Sequence, residues 1–329
     1  MLLRIFYKHQ WYTPFILLMG GVVLWRRALI DPSASLEYVD ANHAPLFELI
    51  LPFLQQQAIV AVLIAFSMVM FQVFFATHLA ASKVLNNRFS ALAGLIFLLL
   101  IGSRPYMLAP QPALFAGVFL ILAFNKMLNT YDEKIMVLQV FNAGALISLA
   151  GLLYFPAWSF FILLLGSLSI YNISKLIYIM AAITGLMMPV FFLFIALWLT
   201  AQHEQAFLSF TQYQASWLDF SIPFTSADRR YMYVFALLTL ISYLSIRLLH
   251  IPSKAIRIRK RMKTLNLAVL VALLSFFVAG EHLLVNHAML VIPLSLTLAV
   301  FFEGQKRKKL AEVLFLLIVA ALAAGHMFP

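Results

Sequence analysis

The sequence predicts an all-α fold, a polytopic bundle of transmembrane helices that forms a single integral membrane domain over residues 1–329. Hydrophobic residues make up 64% of the chain, charged residues make up only 11%, and the mean hydropathy is +0.97, far from the balance of a soluble domain. The apolar runs are continuous and about 20 residues long, the length at which a helix crosses a bilayer. Transmembrane strands would instead alternate over about ten residues.

The composition also limits the chemistry. The chain has no cysteine, which excludes disulfides, thiolate metal sites and cysteine nucleophiles. The net charge of +11 does not indicate a nucleic-acid partner, because the cations lie in short connections between apolar runs, where membrane topology explains them. The sequence contains no glycine-rich phosphate loop, nucleophile elbow or His-Glu-x-x-His motif, so it gives no support for ATP hydrolysis by this chain alone.

The topology follows from a basic stretch, Pro252–Asn266, which we expect to be a short loop on the cytoplasmic side. Moving clustered lysine and arginine across a bilayer against the membrane potential is costly, and this stretch carries six cations. They are Lys254, Arg257, Arg259, Lys260, Arg261 and Lys263. Counting spans outward from it predicts about eleven spans, with the N-terminus inside and the C-terminus outside.

Each predicted span is an apolar run between charged or turn-forming residues. The first, Thr13–Ile30, lacks a small-residue cleavage site, so we expect an uncleaved span rather than a signal peptide. Gly185 and Pro189 lie inside the seventh, where neighbouring helices can satisfy a freed carbonyl. The other spans are Ala58–Ala81, Leu92–Gly102, Ala113–Phe124, Ile135–Tyr154, Trp158–Tyr171, Leu176–Thr200, Tyr231–Ile251, Leu267–Ala279, Met289–Phe302 and Leu310–Gly325.

Two outer segments, Pro45–Leu54 and Phe207–Phe220, are predicted to be helices lying along the membrane surface. Each places apolar residues on one stripe but is too short or too polar to cross. Together they would cover a cavity that opens sideways to lipid. Within the spans, Gln72 and Asn142 are expected to form interhelical hydrogen bonds rather than to bind a ligand.

The cations predicted on the outer side are all arginine, although the chain uses lysine freely elsewhere. They are Arg26, Arg27, Arg104, Arg229 and Arg230. The planar guanidinium grips phosphate through two hydrogen bonds, so we interpret these residues as candidate contacts to a phosphate-bearing substrate. The alternative is that they snorkel to lipid headgroups or pair with nearby acids. This alternative is weakest for Arg104, which lies in a tight Ser-Arg-Pro turn.

Eight of the twelve acidic residues also fall on the predicted outer side: Asp31, Glu37, Asp40, Glu48, Glu204, Asp219, Asp228 and Glu281. Asp31 and Asp40 follow the first span and are the candidate catalytic residues, as a general base or as ligands of a divalent cation. The alternative is that acids keep outer loops soluble. Glu281, His282 and His287 form a further polar group that could contact substrate, but the histidine spacing does not favour a zinc site.

Two resemblances bear on function. A first outer loop with acids directly after the first span, followed by many spans with short connections, resembles the GT-C class of membrane glycosyltransferases. These enzymes use polyprenyl-phosphate sugars on the outer side. The stretches Phe141–Pro156, Gly185–Pro189 and His287–Pro293 resemble an uncharacterised family of polytopic bacterial inner-membrane proteins, a likeness that covers nearly the whole chain and carries no established activity.

These observations predict a multi-pass protein of the bacterial inner membrane with an outer cavity for a lipid-linked phosphate or sugar carrier. The activity expected from the GT-C resemblance is glycosyl transfer. The alternatives are a transporter or flippase of a lipid-linked or anionic solute, and a non-catalytic membrane subunit of an envelope complex. The expected partners are membrane lipids, a polyprenyl-phosphate-linked sugar and other envelope membrane proteins. A divalent cation is the candidate cofactor.

Overall fold

A computed structural model describes residues 6, 12–37, 39, 44–84, 90–129, 136–173, 175–199, 237–241, 256–279, 285–304, 309, 311–316 and 319–320. These residues form helices, and no strand occurs among them. The α-helices are α1 (Thr13–Ile30), α2 (Pro32–Leu36), α3 (Pro45–Gln56), α4 (Ala58–Leu79), α5 (Leu92–Ile101), α6 (Pro112–Asn129), α7 (Met136–Leu153), α8 (Phe160–Tyr171), α9 (Leu176–Leu199), α10 (Ile256–Ala279) and α11 (His287–Gly304). Shorter helical segments are a π-helix, Ala80–Val84, and two 3₁₀ helices, Pro105–Leu108 and Phe155–Ser159.

Six of the helices in this part of the chain, α1, α4, α6, α7, α9 and α11, are long and apolar enough to cross a membrane. α5 is apolar but has only 10 residues. The predicted all-helical fold is therefore confirmed, and so is its membrane character by length and composition. The count of eleven spans and the orientation in the bilayer stay predictions.

Several helix ends follow directly from the sequence. Helices α2, α3 and α6 begin with a proline, a residue whose missing N–H would have no partner in the first turn and whose fixed φ suits a helix start. Helix α8 ends at Tyr171, and the next residue, Asn172, adopts a left-handed conformation with φ 59°. Asparagine tolerates that conformation better than most residues, so the chain can turn sharply there.

Contacts between helices define their relative directions. Gly20 of α1 lies against Leu98 of α5, and Leu24 lies against Gly102 just after α5, so α1 and α5 run parallel. The rings of Trp25 in α1 and Phe66 in α4 are 5.8 Å apart. Because Gly21 lies against Met70, α4 runs antiparallel to α1.

Helices α7 and α9 form the closest helix pair. A Cβ atom added at Gly144 would lie 2.6 Å from the carbonyl oxygen of Ala182, and one added at Gly185 would overlap the carbonyl oxygen of Phe141. Glycine at both positions therefore lets the two backbones touch, which is how membrane helices commonly associate. Tyr178 and Met136 also meet, with 3.9 Å between Oη and Sδ, so α7 and α9 begin at the same end.

The bundle has two chemically different ends. At one, which we call the cationic end, Lys260 Nζ donates to the carbonyl oxygen of Tyr171 and Arg261 Nε donates to that of Leu128, each over 3.1 Å. These carbonyls lie in the last turns of α8 and α6, so α10 runs antiparallel to both. The opposite end holds the start of α6 and the turn that contains Arg104, and we call it the Arg104 end.

The basic stretch differs from the prediction. Residues 252–266 were expected to form a loop, but helix α10 already includes Ile256 and continues without a break to Ala279. The prediction was wrong from Ile256 onward because clustered charge was taken as a sign of a loop. Lysine and arginine are in fact good helix formers, and this helix buries Ile258, Met262 and Leu265 against the core.

Of the two surface helices predicted on the outer side, one can be compared with the structure. Pro45–Leu54 lies within α3, whose Phe47 is fully buried with its ring 5.4 Å from that of Phe115 in α6. The helical prediction is confirmed there, whereas its position along a membrane surface stays a prediction. The segment Phe207–Phe220 lies outside the described residues.

Candidate functional site

The turn between α5 and α6 is buried rather than exposed. Arg104 is only 6% exposed, and Ser103 and Gln111 are buried as well. Ser103 Oγ donates to the Leu100 carbonyl over 2.6 Å, and Gln111 Nε2 donates to the Tyr106 carbonyl over 3.1 Å. The sequence predicts a turn at this place, and the structure adds that its polar side chains are enclosed by the fold.

The turn contacts two helices that are far away in the sequence. Gly102 packs against Leu24 near the end of α1. The ring of Tyr106 meets that of His287 edge-on, with centroids 6.1 Å apart and an interplanar angle of 86°. His287 is the first residue of α11 and is 3% exposed. The fold therefore places this histidine beside the Arg104 turn.

Asn286, the residue before His287, links the start of α11 to α10 through a hydrogen bond. Asn286 Nδ2 donates to Ser275 Oγ over 2.9 Å, and Ser275 Oγ donates in turn to the Ala272 carbonyl over 2.7 Å. Asn286 is fully buried, and its Oδ1 accepts no hydrogen bond within the described part of the chain. We refer to Arg104, Tyr106, Gln111, Asn286 and His287 as the Arg104 cluster.

Burial distinguishes the outer arginines from one another. Arg26 and Arg27 lie in the last turns of α1 and are exposed, as expected of side chains that snorkel to headgroups. Arg104 is enclosed by protein instead. A buried guanidinium is costly unless its surroundings stabilise the charge, so a headgroup-facing role does not account for Arg104.

Asp31 is the N-cap of α2. Its Oδ1 accepts hydrogen bonds from Ser33 Oγ over 2.7 Å and from the Ala34 amide over 3.2 Å, the usual contacts of a helix cap. The Ser33 hydroxyl and then the Ala34 amide stabilise the charged carboxylate, so the pKa of Asp31 is lower than usual. Asp31 is also exposed. The helix cap explains this residue without catalysis, and its predicted catalytic role stays a prediction.

Five of the predicted site residues lie outside the described part of the chain: Asp40, Arg229, Arg230, Glu281 and His282. Glu281 and His282 belong to the connection between Ala279 and Val285, which joins α10 to α11. Ser275, Asn286 and His287 are described residues on either side of that connection.

The described residues do not by themselves provide a donor set for a divalent cation. Among them, no group of three or more His, Cys, Asp or Glu side chains is close enough to hold a metal ion. Asp40, one of the two predicted carboxylates, lies outside the described residues.

Two of the cavities that border the described residues bear on what could bind. One of about 50 Å³ lies between α3 and the Arg104 turn and is lined by Leu36, Val39, Leu51, Leu54, Gln55 and Pro110. This volume holds a water molecule but not a lipid chain. A surface hollow of about 460 Å³ is lined by Phe194, Ile195, Trp198 and Leu199 near the end of α9. Its lining is apolar, which is compatible with an acyl chain and not with a phosphate.

Sequence reasoning did not identify Tyr106, Gln111 or Asn286 as site residues. Tyr106 and Gln111 follow the predicted arginine in the same connection between α5 and α6, so their closeness to Arg104 in the sequence was a usable signal. Asn286 lies next to a predicted polar group, whereas its contact with Ser275 depends on how α10 and α11 pack. Gln72 was interpreted correctly, because its Nε2 donates to the Leu114 carbonyl of α6 over 2.9 Å.

Comparison with known proteins identifies no relative. No protein-family model matches this chain, nor does any curated protein or solved structure. The function of this protein has therefore to be inferred from the site itself.

Proposed function

We propose that this protein is a multi-pass protein of the bacterial inner membrane that binds the phosphate of a lipid-linked carrier at its Arg104 end. The activity we infer is transfer of a sugar from that carrier, as in the GT-C class that the sequence resembles. The observation that carries the proposal is the burial of Arg104 at one end of an apolar helical bundle.

A buried arginine suits a phosphate for geometric reasons. Its planar fork donates two parallel hydrogen bonds, and it remains charged in apolar surroundings. Because little water reaches an enclosed site, the attraction between guanidinium and phosphate is stronger there than at an open surface. The enclosed turn also holds Arg104 in place, so less side-chain entropy is lost on binding.

The neighbouring groups suit the uncharged part of such a carrier. The Asn286 Oδ1 atom is an available acceptor within the described residues and can take a hydrogen bond from a sugar hydroxyl. Tyr106 and His287 present aromatic rings in the same cluster. The apolar hollow at Phe194 and Trp198 offers a surface for a hydrocarbon chain.

For the transfer step we assign the general base to Asp40 rather than to Asp31. In this step a general base takes the proton of an acceptor hydroxyl while that oxygen bonds to the sugar and the carrier phosphate leaves. The two hydrogen bonds that cap α2 favour the unprotonated form of Asp31 and so make it a weaker base. Asp40 follows the same first span in the sequence. Arg26 and Arg27 would attract the anionic carrier without gripping it.

Complementation of a deletion strain tests the proposal. Arg104→Lys keeps the charge but loses the fork, so we expect it to lose most function. Arg26→Lys is the matched control, because this arginine is exposed on the same side, and we expect it to restore growth and envelope glycans. Asp40→Asn should abolish transfer while leaving carrier binding intact.

Each variant must be present in the membrane at the level of the unmodified protein. If Arg104→Lys and Asp40→Asn both restore envelope glycans fully, the transferase proposal fails, and a non-catalytic envelope subunit becomes the better account. If function instead needs Arg104 but no outer carboxylate, transport of a lipid-linked or anionic solute replaces transfer.

A further inference from the structure

The first two turns of α10 carry an unusual concentration of positive charge. Arg257, Arg259, Lys260, Arg261 and Lys263 all lie there, and the first turn contains no acid. The start of a helix already has a partial positive charge from its unpaired amides, so cations are unfavourable at this position. The arrangement therefore requires negative groups nearby.

Two of these cations have such groups within the protein. Arg261 is buried, and its Nε donates to the Leu128 carbonyl at the end of α6. Lys260 Nζ donates to the Tyr171 carbonyl at the end of α8. The C-terminal ends of helices carry partial negative charge, so both cations stabilise the packing of α10 against its neighbours.

Arg259 and Lys263 belong to the opposite face of the helix. They are four residues apart, so they lie one turn above the other on one stripe, and both are exposed. Two like charges at this spacing repel each other, so a negative group beside them would stabilise this stripe.

The position of this stripe relative to the apolar part of α10 indicates what could neutralise it. With a rise of about 1.5 Å per residue, Lys263 lies about 6 Å and Arg259 about 12 Å before Leu267, where the apolar part begins. The headgroup region on each side of a bilayer is about 5–8 Å thick. Lys263 therefore falls at headgroup depth, and Arg259 lies a few ångströms beyond it, a distance that its long side chain can span.

We propose that the exposed stripe of Arg259 and Lys263 binds the headgroups of anionic phospholipids at the cationic end. The ligand chemistry is a phosphodiester, held by point charges. This site is at the opposite end of the bundle from the Arg104 cluster and does not depend on the function proposed for that cluster.

The test measures the affinity of the purified full-length protein for phosphatidylglycerol in phosphatidylcholine nanodiscs, by native mass spectrometry of retained lipid. The variant is Arg259→Gln with Lys263→Gln. We expect affinity to fall about fivefold for each cation removed, the equivalent of about 1 kcal/mol each. The matched control is Lys175→Gln with Lys309→Gln, which removes the same charge from exposed positions outside α10 and should change affinity little.

Two further arms identify the source of the phosphate and the kind of contact. Arg259→Lys should bind as the unmodified protein does, because a point charge is sufficient here. Inorganic phosphate should not displace the lipid, because free phosphate is not concentrated at the membrane surface as a lipid headgroup is. Equal losses in the two double variants would overturn the proposal, as would displacement by inorganic phosphate. Unchanged lipid affinity in Arg259→Gln with Lys263→Gln would likewise overturn it and leave these cations a role in membrane topology alone.

Discussion

Burial gives the arginines of the Arg104 end different roles. Arg104 is enclosed in a turn whose hydroxyl and amide side chains are hydrogen-bonded to backbone carbonyls. Arg26 and Arg27 occupy an exposed helix end. The same residue type is therefore an enclosed group in one place and an exposed surface charge in the other. Asp31, at the same end, is the N-cap of helix α2.

Substitutions at Asp31 can separate a helix cap from a general base. Asparagine caps helices as well as aspartate does, whereas alanine does not. We expect Asp31→Asn to retain stability and function, and Asp31→Ala to lower the apparent melting temperature. Thermal unfolding in detergent and complementation are the measurements. Loss of function in Asp31→Asn at normal abundance would return the catalytic role to Asp31.

The cap also predicts a pH dependence. Hydrogen bonds from Ser33 and Ala34 lower the pKa of Asp31 in the folded protein. A lowered folded-state pKa stabilises the protein above the unfolded value, about pH 4, and this stabilisation is lost as the pH falls through the folded-state pKa. The melting temperature of Asp31→Asn should therefore change less with acidification than that of the unmodified protein. Identical acid profiles would contradict the cap as the cause.

Sequence reasoning identified part of the site because part of its signal is local. Arg104 was recognisable from its turn and from the absence of outer lysines. The contact between Tyr106 and His287 was not, because it depends on the packing of the α5–α6 turn against α11. Burial of Arg104 was also unpredictable, because a tight polar turn is more often exposed.

At the scale of helices, close packing and end capping hold the bundle together. Helices α7 and α9 touch at Gly144 and Gly185, where backbone meets backbone. Helix α10 is joined to α6 and α8 through Arg261 and Lys260. The glycine contacts bring the backbones of α7 and α9 together. The hydrogen bonds of Arg261 and Lys260 fix the position of α10 along its axis relative to α6 and α8.

Substitution of Gly185 tests the close contact. In Gly185→Ala the new methyl group would overlap the Phe141 carbonyl, and backbone cannot move aside as a flexible side chain can. We expect a loss of about 1–3 kcal/mol, seen as a lower apparent melting temperature. In the control, Gly20→Ala, the new Cβ would be 3.5 Å from Leu98, an ordinary contact. That control should be neutral or stabilising by up to about 1 kcal/mol, and equal destabilisation of both variants would contradict the account.

Helix identity was more predictable than helix boundaries. The apolar runs of α4, α7 and α9 are long enough to define helices by themselves. The predicted start of α10 was wrong because the charged turns are helical. Packing of Ile258, Met262 and Leu265 stabilises them, and the pattern of charge alone does not predict that packing. Pro189 lies inside α9 and Pro293 inside α11, as proline can when neighbouring helices compensate.

Over the whole molecule, charge and helix direction agree. Lys126 near the end of α6 and the cations at the start of α10 lie at the cationic end, whereas Arg104, Arg26 and Arg27 lie at the other. Retention of positive charge on the cytoplasmic side therefore predicts that the cationic end faces the inside of the cell, and this orientation stays a prediction.

The natural absence of cysteine allows a clean test of this orientation. In Glu37→Cys the thiol lies at the Arg104 end, and in Lys175→Cys it lies at the cationic end; both positions are exposed. An impermeant maleimide added to intact cells should label Glu37→Cys and should label Lys175→Cys only after lysis. A reporter fused after Pro329 should be extracytoplasmic if eleven spans are correct. The reverse labelling pattern would invert the topology and remove the outer-side argument.

We propose that Arg104 binds phosphate through its forked geometry, and this can be tested by measuring binding. The full-length protein, Arg104→Lys and Arg26→Lys would each be reconstituted in neutral nanodiscs and titrated with a polyprenyl phosphate. Losing a hydrogen bond to a charged group costs about 1.5–3 kcal/mol, so Arg104→Lys should bind roughly 10- to 100-fold more weakly, while Arg26→Lys should bind normally. Equal affinities for all three proteins, each with a normal melting temperature, would contradict the claim.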